Sequence, residues 1–237
     1  MANYFEVHND SNIVTIDDTY NNLSFVRKYQ NFGSINISNT SNAYPSTSNF
    51  FRINNRICLI VLPKNNGSIF AIKSSNPNIF FYSENKQTYT DIHFYSLSGE
   101  EINNLMPAIT IYEYQDVDAP PTNIGLEVRG ENGNIIYSTS QRMLKVIDFS
   151  LEYREGINLA IDSKPATYYN KNIAVVIGSP QYFLIAEPNR VYRGYEGVYM
   201  PSQNSFAMKW IFIGQNPAQG MAISGARNIL IVDITGL

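Results

Sequence analysis

Short runs rich in Ile, Val, Tyr and Phe recur along the whole chain, broken by clusters of Asn, Gly, Ser and Pro. Such runs at frequent spacing are the pattern of β-sandwiches and barrels. In the first half it predicts strands over Tyr4–His8, Ile13–Ile16, Leu23–Lys28, Ile57–Leu62, Ser68–Lys73, Ile79–Tyr82, Thr90–Ser96 and Ala108–Tyr114. In the second half it predicts Leu126–Arg129, Ile135–Ser138, Leu144–Leu151, Ile173–Ile177, Tyr182–Ala186, Ala207–Ile213 and Ile229–Ile234. Asn66-Gly67 and Asn132-Gly133 each lie between two such runs. Asn-Gly is the strongest short hairpin signal, because both residues tolerate positive φ. No stretch sustains a 3.6-residue period with caps; Gly99–Met106 is the one place for a helical turn.

The same order of segments occurs twice. Phe5-Glu6-Val7, a polar turn and Asn12-Ile13-Val14 match Leu126-Glu127-Val128, a polar turn and Asn134-Ile135-Ile136. Leu23–Val26 matches Leu144–Ile147, Ile57–Val61 matches Ile173–Ile177, Thr90–Gly99 matches Ser205–Gly214, and Ala108–Tyr112 matches Asn228–Val232. The offsets stay between about 115 and 122 residues, in constant order, which points to an internal duplication. The expected fold class is therefore all-β, with two tandem, internally duplicated β-sandwich-like domains. Residues 1–114 form the first and 126–237 the second, with 115–125, which holds Pro120-Pro121, as a stiffened linker.

Composition narrows the chemistry. The 237 residues carry 17 basic and 20 acidic side chains, a net charge of −3, so there is no basic footprint for nucleic acid. Charged residues are only 16%, below the usual level of about 25%, and 29 asparagines stand in their place. No window approaches 18 consecutive apolar residues, so no membrane insertion is expected, and the opening residues lack the basic and apolar regions of a signal peptide. The single cysteine, Cys58, lies in an unbroken apolar run and reads as a buried core residue. With His8 and His93 the only histidines, no Cys/His zinc site can be assembled, and no cofactor is expected. His93 reads as an outward or cross-strand position. The pairs Asp17-Asp18 and Asp116-x-Asp118 lack the spaced acids of a calcium loop. Glu84, Asp91, Glu100 and Glu101 are the acids from which a glycosidase pair could be drawn, but sequence does not select among them. Phosphate-loop, dinucleotide-binding, nucleophile-elbow and metalloprotease motifs are missing, and the expectation is a protein that is not an enzyme.

Tyrosine is the residue type left to carry function. Pro188–Pro201 reads as a long loop punctuated by Gly and Pro, in which Tyr192, Arg193, Tyr195 and Tyr199 form a candidate binding or interface site. Tyr and Arg dominate binding hot spots, offering large contact area with a polar end. Tyr44, in the polar stretch Asn31–Asn49, is its counterpart in the first half.

The stretch Gly125-Leu126-Glu127-Val128, a turn with Gly133, Ile135-Ile136-Tyr137-Ser138 and then Leu144-Lys145-Val146 resembles small virion proteins encoded among the tail genes of tailed bacteriophages. Tyr4–Tyr20 is similar to the same element without its first glycine. The resemblance covers about 25 residues in each half and implies a structural component of a tail tip or fibre, located in the virion. It further implies assembly with other tail proteins as a homo-oligomer such as a trimer, with contact to a host surface glycan or receptor. The alternative is a free-standing carbohydrate- or receptor-binding module acting through the Tyr192–Tyr199 segment.

Overall fold

The computed structural model describes residues 6–8, 14–17, 23–30, 49–65, 67–118, 120–129, 133–153, 165–179, 182–187, 190–216, 222–224 and 226–237. In the first half the strands are β1 (Glu6–His8), β2 (Val14–Asp17), β3 (Leu23–Tyr29), β4 (Asn49–Asn54), β5 (Ile57–Pro63), β6 (Ile69–Ser74), β7 (Ile79–Asn85), β8 (Tyr89–Ser96) and β9 (Ile109–Asp116). Between β8 and β9 lies one short helix, α1 (Ile102–Leu105), running into a 3-10 turn, within the stretch that the sequence allowed a helical turn. The second half supplies β10 (Glu127–Arg129), β11 (Ile135–Ser138), β12 (Val146–Tyr153), β13 (Ala166–Thr167), β14 (Ile173–Ser179), β15 (Tyr182–Glu187), β16 (Arg190–Ser202), β17 (Ser205–Asn216), β18 (Ala222–Ser224) and β19 (Ala226–Asp233).

The fold is all-β, with two large antiparallel sheets. A six-stranded sheet runs β12-β19-β14-β6-β9-β3, and a nine-stranded sheet runs β13-β17-β16-β7-β8-β5-β4, with β15 and β18 attached beyond β16. The hairpins β1–β2 and β10–β11 stand as separate two-stranded ribbons. Each large sheet takes strands from both sides of residues 115–125. Between named strands the halves meet at two seams: Val175↔Ile72 joins β14 to β6, while Val198↔Phe81 and Tyr199↔Phe80 join β16 to β7. A third junction, the isolated bridge Ser24↔Met143, ties β3 to the segment leading into β12, with the Phe25 N–H donating to the Arg142 carbonyl oxygen at 2.7 Å and the Leu144 N–H to the Leu23 carbonyl oxygen at 2.8 Å.

Strand order in the six-stranded sheet mirrors about its seam. β3 and β12 hold the two edges, β9 and β19 come next, and β6 and β14 meet at the centre. In the larger sheet β8 and β17 flank the central pair β7 and β16. Four of the five segment matches read from sequence therefore occupy corresponding places. The fifth is corrected: Ile57–Val61 falls in β5 of the larger sheet, while Ile173–Ile177 falls in β14 of the smaller one, whose positional counterpart is β6. Both segments are unbroken apolar runs, and such a run says that a strand is buried, not which sheet receives it.

Side chains from both sheets interdigitate in one core, in which Cys58, Ile60, Leu62, Phe81 and Phe94 meet Ile72, Ile111, Val175 and Ile231. The outer face of the six-stranded sheet carries a second cluster built on Tyr112, Tyr114, Val176 and Val232. β5 is buried on both faces along Cys58–Leu62, which explains its lack of alternation.

The two Asn-Gly signals part company. Gly133 has φ 80° and closes the β10–β11 hairpin, in register Glu127↔Ser138 and Val128↔Tyr137. Gly67 has φ 68°, but the strands it separates lie in different sheets, so this turn is a corner between layers rather than a hairpin.

Candidate functional site

The largest departure from the sequence reading is the tyrosine-rich segment. Residues 190–202 form β16, a 13-residue strand, and not a loop. Along most of its length β16 pairs with β17, its first residues also pair with β15, and its last reach β7. Gly197, which reads as loop punctuation in the sequence, serves close packing. A Cβ on Gly197 would stand 2.5 Å from Phe80 Cζ and 2.5 Å from the Phe81 carbonyl oxygen, so only a residue without one lets β16 lie against β7.

Tyr195 is half-buried and stacked on Tyr82, with centroids 4.4 Å apart and planes 8° apart. Tyr82 stacks in turn on its cross-strand partner His93 at 4.5 Å and 6°, and its hydroxyl meets that of Tyr95 at 3.5 Å. The aromatic ladder thus ties β16, β7 and β8 together, and His93 is the cross-strand residue the alternation predicted. Burial holds its imidazole down at about 4, against a smaller opposing pull from Glu84. Tyr199 is half-buried on the same strand, paired with Ala207 and Phe80. Tyr192 and Arg193 take register opposite Ile185 and Leu184 of β15; their side chains lie outside the described residues. Tyr44 lies outside the described residues altogether. Tyr195 and Tyr199 are therefore brought together with β7, but as packing in a sheet rather than as a free loop.

Of the acids, Glu84 and Asp91 face each other directly across the β7–β8 hairpin. Glu84 is paired with Lys86 at 2.6 Å. Burial, with the Glu84 charge second, raises the Asp91 carboxyl to about 6. Glu113 has the opposite fate. Burial pushes its carboxyl up, but Arg27 Nε (2.6 Å), Tyr29 OH (2.7 Å), Gln115 Nε2 (2.5 Å) and Ser68 Oγ (3.0 Å) all donate to it, and its net shift is downward. This network fastens β3, β9 and the start of β6. Among the described residues no three His, Cys, Asp or Glu side chains lie together as a metal cluster. The Cys58 thiol is buried and pushed up to about 12, as a core residue would be.

Sequence reasoning passed over a second feature. β12 is an edge strand of the six-stranded sheet, paired among the described strands on one side only, with β19. It presents Val146 (49% exposed), Ile147 (36%) and Phe149 (60%). Asp148, the acid among them, is engaged by the Tyr168 hydroxyl at 2.5 Å and by the Phe149 backbone N–H at 2.8 Å. The signal was legible as Leu144–Leu151, which carries only Lys145 and Asp148 as charges; what sequence lacked was the position of the strand at an edge. Comparison with protein-family models, curated proteins and solved structures finds no match.

Proposed function

We propose that this chain is a non-enzymatic structural subunit of a bacteriophage tail, built from two copies of one β unit. It acts by assembling with other virion proteins and with copies of itself, and contacts the host surface through that assembly. The mirrored strand order about the two seams supports the duplication, with the copies fused along both sheets.

The observation that carries the assembly reading is the β12 edge. Beyond its entry, where residues 142–144 pair with β3, this edge is unpaired among the described strands; such an edge with exposed Val, Ile and Phe is an association surface, and monomeric proteins blunt such edges with charge, proline or a cover. Here Asp148 is the one charge between Val146 and Phe149, and the Tyr168 hydroxyl holds its carboxylate beside three exposed apolar side chains. A free-standing carbohydrate- or receptor-binding module working through Tyr192–Tyr199 has less support, because Tyr195 spends its ring face on Tyr82.

Light scattering coupled to size exclusion tests this on the purified full chain. The expected result is a discrete oligomer, such as a trimer, which Ile147→Lys shifts at least tenfold toward monomer without changing the β signature in circular dichroism. A wild-type chain that stays monomeric at about 100 μM, alone and mixed with tail proteins, overturns the reading.

A further inference from the structure

A groove of about 670 Å³ opens at the seam of the six-stranded sheet, within the range of about 300–1,000 Å³ usual for small-molecule sites. Its origin is topological. β6 and β14 share a single paired position, Val175↔Ile72, and β14 carries a register shift between Ile177 and Ser179. Beyond the pairing the groove separates Ile69 and Phe70 from Ile177 and Gly178. The larger sheet contributes lining from β7, β8 and their turn, and β12 of the smaller sheet contributes Phe149.

We propose that this groove binds a neutral saccharide. This inference shares only Phe149 with the assembly reading and rests on the chemistry of the lining. Gln87 and Asn228 bring neutral amides to the lining, and Asn85 Oδ1 and Thr90 Oγ1, joined by a 2.9 Å bond, keep lone pairs that accept from a polyol. Phe149 offers a ring face for the C–H face of a sugar. Among the described lining residues there is no carboxylate and one cation, Lys64, whose ammonium also donates to the Lys86 carbonyl oxygen at 3.3 Å.

Pairing of an extended peptide with the β14 edge is disfavoured by what sits on that edge. The Ile177 carbonyl oxygen accepts from Ser83 Oγ at 2.7 Å and from Asn85 Nδ2 at 3.3 Å, and the Gly178 carbonyl oxygen accepts from Asn85 Nδ2 at 2.7 Å. An added strand would have to displace these bonds. At Gly178 a Cβ would push the Asn228 carboxamide aside.

The test is a printed array of neutral and acidic oligosaccharides probed with the full chain, followed by titration calorimetry with the strongest neutral binder. Phe149→Ala and Gln87→Ala, in different elements of the lining, are each expected to weaken binding at least tenfold with an unchanged melting temperature. Ile147→Lys, outside the lining, is expected to keep the wild-type affinity even if it dissociates an oligomer, which separates this proposal from the assembly reading. Binding of acidic sugars only, no binding at millimolar oligosaccharide, binding only of extended peptides in a parallel peptide array, or neutral binding that both lining variants leave intact would each overturn it.

Discussion

Asp91 and Glu113 are both buried carboxylates on strands, and their surroundings send them in opposite directions. Glu113 is met by four donors. Asp91, 4% exposed, has Oδ1 buried without a hydrogen-bond partner and stands opposite Glu84. Its carboxyl titrates near 6 in the fold, against an ordinary value near 4 in the unfolded chain. Below the unfolded value both states hold the proton, and Asp91 costs nothing. As pH rises through 4 to 6 the unfolded chain ionises first, so stability is lost across that window and stays lost above it. Two pH units correspond to about 3 kcal/mol at most. Asp91→Asn is therefore expected to raise stability by about 2–3 kcal/mol at pH 8, with the gain fading by pH 4, in urea melts at the two pH values. An equal effect at both would show that the charge is not its cause. Sequence placed Asp91 on a strand, but the Glu84 opposite it depends on hairpin register.

At the scale of elements, β16 shows how one residue type carries two meanings. Glycine in a sequence signals a turn when its φ is positive, as at Gly133, and close packing when it lies within a strand, as at Gly197. Local sequence does not separate the two, which is why the Arg190–Ser202 strand reads as a loop. Gly197→Ala places a methyl group against the Phe80 ring and a backbone carbonyl that has little room to yield. The expected cost is about 1–3 kcal/mol, seen as a lower melting temperature, together with loss of the Tyr195–Tyr82 stacking contribution to the near-ultraviolet circular dichroism. A variant as stable as wild type would mean that β16 does not lie against β7 at this position. The edge strand β12 was legible as a strand over nearly its full length, and its role at an edge was not.

For the whole molecule, the two seams and the Ser24↔Met143 bridge decide how the halves behave. Both large sheets cross from one half to the other, and Ser83 of the first half donates to Ile177 of the second between the sheets. The core between the sheets mixes residues of both halves throughout. Thermal and urea unfolding followed by tryptophan fluorescence and by far-ultraviolet circular dichroism is expected to give one coincident transition. The single tryptophan, Trp210, lies in β17 of the second half, so two separated transitions would show halves that fold independently across weak seams.

Sequence by itself determined the all-β class, most strand positions, the β10–β11 hairpin, the burial of Cys58 and the order of the recurring segments. These follow from local patterning: apolar runs, Asn-Gly pairs and the residues between them. Only the tertiary structure decided which sheet receives each buried run, that the turn at Gly67 is a corner, that the tyrosine-rich segment is a strand, and that β12 stands at an edge beside a seam groove. Those properties arise from pairing between residues far apart in the chain, and a β-strand carries the same local signature whichever neighbour it finds.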